Sequence, residues 1–188
     1  MAVPRNCFSV TNSMEHNLEE TLALLGRTPT ALDVLLRDLP EGWTHRNEGG
    51  SSWSAFEVVR HLAYVESRDW IARADILRKS GEIGPVNREG VIKASSLGAL
   101  LDEFTQLRRE NLRQVRSWNL TEEELSRCGN HKALGEVTLS ELMATWAVHD
   151  LTHLHQISRI LAHQYREAVG PWIKFLGVLK CDGHSAPV

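Results

Sequence analysis

Cysteine is scarce in this 188-residue chain, which holds only Cys7, Cys128 and Cys181. Being odd in number, far apart and never in C-x-x-C spacing, they suit free thiols in a reducing cytoplasm better than a disulfide framework or a thioredoxin-type motif. Positive charge is not in excess either. Lys and Arg total 21 against 24 Asp and Glu, a formal net charge of -3, so no basic stripe is present to follow a phosphate backbone and no nucleic-acid partner is expected. Long apolar runs are missing as well. The opening M-A-V-P-R-N-C-F-S-V has no signal-peptide core and no later segment reaches the length of a membrane span, so the expectation is a cytoplasmic protein with no membrane partner. There is no G-x-S-x-G elbow and no Gly-rich phosphate loop to support a serine hydrolase or nucleotide-binding reading. Period-two alternation, internal repeats and low-complexity tracts are also absent.

What the chain does contain is helical periodicity. Met14, Leu18, Leu22 and Leu25 recur at three- and four-residue intervals and predict a short amphipathic helix over about 12–25, stopped by Gly26. Thr28 and Pro29 read as a cap and first-turn proline for a second piece through Leu32, Leu35, Leu36 and Leu39; whether the two pieces form one kinked helix stays open. A Gly-, Ser- and Asn-rich connection covers 41–52. Ser54-Ala-Phe-Glu57 is then a capping box, with Trp53 and Val58 as its staple, opening a helix expected to reach about Lys79. Residues 80–95 read as a connection long enough to cross a bundle.

Ser96 caps a third helix whose Leu97, Leu100, Leu101, Phe104, Leu107, Val115 and Trp118 face inward, while its R-R-E and R-Q-V-R stretches read as wetted surface. Thr121-Glu-Glu-Glu124 caps a single turn, 128–134 read as irregular, and Thr138-Leu-Ser-Glu141 opens a last long helix to about His163. Pro171 starts a short closing helix before a loose tail. Four long amphipathic segments predict an all-α four-helix bundle with short extra helices at both ends, in one domain spanning 1–188 with its core at about 12–179.

The chemistry concentrates in Trp146 to Ile157, W-A-V-H-D-L-T-H-L-H-Q-I. On a helix, His149 and His153 differ by about 40° and share a face, whereas His155 is turned about 200° from His153. Leu139, Leu142, Trp146, Ile157 and Ile160 fall on or near the same stripe, so the pair points inward. Two interior imidazoles need partners, and one metal ion supplies a partner to both. His61, between Val58 and Val65 on the second long helix, is the candidate third ligand. Interior histidines held by ordinary hydrogen bonds are the competing reading, and spacing alone leaves both open. His163 lies about 15 Å along the helix from His153 and cannot join. His16, His45, His131 and His184 read as surface residues. Asp150 points about 100° aside from His149, so no H-E-x-x-H motif forms; it is expected to orient a ring or to make a salt bridge. No interior glutamate stands three residues before a histidine, which removes a di-iron reading. Gln156 and Trp146 are expected to line the site or to pack beneath it.

W-S-A-F-E-V-V-R-H-L around His61, G-E-V-T-L-S-E-L-M-A-T-W-A-V-H-D-L-T-H-L-H-Q-I through His149 and His153, and V-G-P-W-I-K-F-L-G-V-L near the end together resemble the DinB/YfiT-like metalloenzyme superfamily. The resemblance extends from about Thr28 to Leu179. It implies an up-down-down-up bundle in which His61, His149 and His153 bind a divalent ion, Zn²⁺ or Ni²⁺ foremost, with Fe²⁺ and Mn²⁺ as alternatives. It also implies a small-molecule substrate, a homodimer, and a thiol S-transferase activity that uses a low-molecular-weight thiol cosubstrate. The rivals are a hydrolase using metal-bound hydroxide, and a non-catalytic metal-binding or interaction protein.

Overall fold

The computed structural model describes residues 15–79, 81–84, 92, 94 and 96–180. Cys7, Met14, Cys181, His184 and most of the 80–95 connection lie outside them, as does the tail. Eight α-helices are described: α1 (Leu18–Leu25), α2 (Thr28–Leu36), α3 (Glu41–Thr44), α4 (Ala55–Arg68), α5 (Trp70–Arg78), α6 (Leu97–Ser117), α7 (Glu122–Leu125) and α8 (Leu139–His163). Among the described residues no helix is long and apolar enough to cross a membrane.

Capping chemistry sets the starts of the helices that matter most. Ser54 and Thr138 each accept from the amide three residues on while Glu57 and Glu141 reach back to the cap amide, so α4 and α8 begin in complete capping boxes. Ser96 accepts from the Ala99 amide and starts α6 where its serine predicted. The helix expected to run from Ala55 to about Lys79 is interrupted at Asp69, yet the bonds Asp69 N–H to Val65 O and Arg73 N–H to Asp69 O carry the ladder across. It acts as one kinked rod. Gly26 adopts helical angles between α1 and α2, which likewise joins them into one broken rod. Thr28 is not the cap expected of it, because it lies inside α2 and is buried.

The core is two apolar clusters stacked along the bundle. One gathers Leu22 and Leu25, Trp70 and Leu77, Leu112 and Val115, Met143 and Trp146; the other gathers Leu32 and Leu36, Val58 and Leu62, Leu100 and Phe104, Ile157 and Ile160. The chain therefore passes from the first cluster to the second along α1–α2, back along α4–α5, back again along α6, and returns along α8. That is the up-down-down-up order, with α4 and α6 running the same way.

The expectation that no strands occur needs correcting. Residues 128–134, read as irregular, contain a strand, and a small sheet of order β1-β2-β3 is formed by β1 (Glu82–Ile83), β2 (Cys128–His131) and β3 (Gly135–Thr138). β1 pairs parallel to β2, and β2 pairs antiparallel to β3 with Gly129 opposite Val137. Strands of two to four mostly polar residues carry too little alternation to be seen in sequence. The expected closing helix is two 3₁₀ pieces, Gly170–Phe175 and Gly177–Leu179. Cys128 is an exposed free thiol.

Gly129 stands where the sheet meets α5: a Cβ there would lie 2.6 Å from the Gly81 carbonyl oxygen and 2.6 Å from Leu77 Cδ2. Gly129→Ala is expected to destabilise the protein by about 1–3 kcal/mol, since backbone must move to admit the methyl group. Urea unfolding of the two proteins measures the difference.

Candidate metal centre

His149 and His153 stand one turn apart on α8, and α4 delivers His61 from 88 residues earlier in sequence. His149 Nε2 lies 3.3 Å from His61 Nε2 and 3.2 Å from His153 Nε2. Ligand nitrogens of all three fall within 4.8 Å of one another. Three nitrogens each about 2.0–2.1 Å from one tetrahedral ion would be about 3.3–3.4 Å apart, so the spacing suits a divalent cation.

The hydrogen bonds point the same way. His153 Nδ1 lies 2.8 Å from the Gln156 side-chain oxygen, which accepts from it, so the proton sits on Nδ1 and the Nε2 lone pair faces the shared point. One N–H on His149 Nε2 can donate to His153 or to His61, not to both. A cation satisfies all three lone pairs. His149 Nδ1 is buried with no hydrogen-bond partner.

Indoles wall the group. The Trp53 ring lies 5.0 Å from the His61 ring and 6.3 Å from that of His153, and Trp70 meets His149 edge-on at 5.2 Å. Trp53 rides on a loop tied to α8 by Arg159, whose Nε donates to Glu48 at 2.8 Å. Burial pushes the His149 pKa down to about 3, helped by the neighbouring His153, His61 and Arg108. Burial also lowers that of His153, against the opposing influence of Gln156 and Asp150. Neutral imidazoles are the form in which these rings ligate metals.

A family model described as the DinB superfamily matches residues 24–157. The chain belongs to the DinB superfamily. No curated protein matches it. Among solved structures it is similar to YfiT from Bacillus subtilis, described as a probable metal-dependent hydrolase with an unusual four-helix bundle topology. The TM-score is 0.66 and the identity 18%, over 89% of this chain and 94% of that one. It is also similar to TT2238, a four-helix bundle protein, with a TM-score of 0.50 and 22% identity over 76% of this chain and 98% of the other. At these identities the two likenesses show the bundle of a DinB fold.

In this DinB-superfamily chain a further group of polar residues sits beside the histidines, and the sequence reading missed it. Arg108, placed there in a solvent-facing stretch, is 1% exposed. Its Nε and one terminal nitrogen donate to Glu66 at 2.8 and 2.9 Å, both terminal nitrogens donate to Asp150 at 2.6 and 3.0 Å, and the Leu25 carbonyl accepts at 2.8 Å. The Trp146 indole donates to Glu66 at 3.2 Å and the Asn111 amide donates to it at 3.1 Å. Asp150 thus makes the salt bridge that was one of its two expected roles. Gln156 is buried and anchors His153, while Trp146 packs beneath. The signal was available: Arg108 falls four residues after Phe104 and four before Leu112, on the apolar stripe of α6. A charge in that position requires an interior counter-ion.

In the metal-free protein the depressed His149 pKa makes stability depend on acid. The unfolded imidazole, near 6.5, takes up a proton that the folded ring refuses until about pH 3. The contribution is therefore complete above pH 6.5 and is lost as pH falls toward 3. Melting temperatures of chelator-treated protein should drop across that window, and His149→Gln should flatten the drop.

Proposed function

We propose that this chain is a divalent-metal-dependent enzyme in which His61, His149 and His153 hold the ion and a low-molecular-weight thiol is the group transferred to a small electrophilic substrate. The observation that carries the metal assignment is the approach of His61 Nε2 and His153 Nε2 to within 3.3 and 3.2 Å of His149 Nε2, the spacing of donors around one ion. Zn²⁺ and Ni²⁺ suit an all-imidazole donor set best, and Fe²⁺ and Mn²⁺ remain compatible with it. When bound, the ion supplies Lewis acidity that lowers the pKa of a coordinated thiol or water.

The chain's own residues do the rest. Three protein donors leave at least one coordination position for an exogenous group, as catalytic sites do and closed structural sites do not. Gln156 fixes the tautomer of His153 so that the lone pair is on the correct nitrogen before any ligand arrives. Trp53 and Trp70 keep the rings in a water-poor setting where the neutral imidazole is favoured.

A second reading, hydrolysis with water in place of the thiol, draws support from the fold shared with YfiT, which is described as a probable metal-dependent hydrolase. It uses the same ligands and differs only in what attacks. Omitting the thiol separates the two: turnover is expected to stop without one. Undiminished turnover with every candidate thiol omitted moves the assignment to the hydrolase.

Elemental analysis of untagged protein is expected to find bound divalent metal in the wild type and none in His61→Ala or His149→Ala, because two imidazoles hold a divalent ion far more weakly than three. Gln156→Leu should keep the ion but weaken its affinity about 10–100-fold, measured by chelator competition.

A further inference from the structure

The Glu66–Arg108–Asp150 cluster lies between the two apolar clusters, and its three side chains are at most 2% exposed. Arg108 has five N–H groups and uses all of them: one to Leu25 O, two to Glu66 and two to Asp150. Among the described residues, the Trp146 indole and the Asn111 amide also donate to the cluster, and both are uncharged. Two carboxylates against one guanidinium give the described cluster a formal charge of -1 in the interior, where unbalanced charge is costly.

That excess lies on the helices that carry the histidines. Asp150 directly follows His149 and precedes His153 by three residues, and Glu66 follows His61 by five on α4. Asp150 favours positive charge on His153 while Arg108 opposes it on His149, so the balance of carboxylates against guanidinium decides what the centre feels. Trp146, which donates to Glu66, stacks at 5.6 Å on Trp70, and Trp70 meets His149 edge-on, so two buried indoles link the cluster to the centre.

We propose that the Glu66–Arg108–Asp150 cluster is the counter-charge of the three-histidine centre: its unbalanced negative charge is offset by the divalent ion held there, which makes Asp150 and Glu66 positioning residues for that ion. The inference rests on the metal reading given above. It adds that ion affinity is set by carboxylates that never touch the ion.

The test is Zn²⁺ affinity of the full chain, stripped with chelator and titrated against a chromophoric competitor, for wild type, Asp150→Asn and Glu66→Gln. Each amide keeps the shape and one acceptor oxygen while removing one negative charge, and it turns an NH₂ toward a donor that the lost oxygen satisfied. Both variants are expected to bind Zn²⁺ at least about tenfold more weakly, because a charge interaction across a dry interior is little screened. Their metal-free melting temperatures are expected to fall, since an amide NH₂ then faces an Arg108 N–H, and the rise on adding Zn²⁺ should be smaller than in wild type. Wild-type affinity in a folded variant, or a lowered metal-free melting temperature with unchanged affinity, assigns the carboxylates to the fold alone and overturns the proposal. If Asp150→Asn does not fold, Glu66→Gln carries the test; failure of both to fold overturns it too. A wild type that binds no Zn²⁺ sinks the metal reading itself, and this inference with it, and is recognised in the first titration.

Discussion

A guanidinium with no access to water must find an acceptor for every N–H it carries, and the placement of Arg108 in the middle of α6 imposes that demand on the whole bundle. Its acceptors come from the end of α1, from α4 and from α8. Four separate stretches of chain are thereby held in one register. Phe104 and Trp146 lie on its faces, at 4.9 and 5.2 Å from the guanidinium carbon, so the group is held by packing as well as by hydrogen bonds. Removing one partner of such a network leaves a buried charge without compensation, which typically costs about 3–5 kcal/mol. The apolar clusters on either side would tolerate sliding far better, since dispersion and burial have little directionality.

The histidine centre inherits its precision from that register. His61 and Glu66 are separated by little more than one turn of α4, and His149, Asp150 and His153 by one turn of α8. Fixing the carboxylates on Arg108 therefore fixes the distance between the two helices at the height of the imidazoles. Capping boxes at Ser54 and Thr138 set where each helix starts, and regular helical geometry carries that setting along to the site. The three rings come from rigid elements rather than loops, which is what an ion with preferred bond lengths requires.

Much of this was legible in the sequence because the signals were local. The capping boxes, the Ser96 cap and the 149/153 spacing each depend on residues within a turn or so of one another, and α8 runs over the predicted span. The convergence of His61 with the pair depended on a tertiary approach, yet an interior histidine on an apolar stripe marked it. Two of the failures share one cause, partners distant in sequence. In sequence Arg108 stands among charged neighbours, whereas Phe104 and Leu112 are a turn below and above it and its carboxylate partners lie 42 residues away on either side. The sheet escaped because pairing between Glu82 and Asn130 is not written in the composition of either short segment. Thr28 fails for a local reason: Thr-Pro favours a cap, but the backbone already turns helically at Gly26, and the threonine is carried into the rod.

The stack of Trp70 on Trp146, edge-on to His149, makes the chain its own optical reporter. Indole emission is quenched by open-shell transition ions at short range and left largely intact by closed-shell Zn²⁺. The brightness of this protein under ultraviolet light would thus tell an open-shell ion added at the three histidines from a closed-shell one.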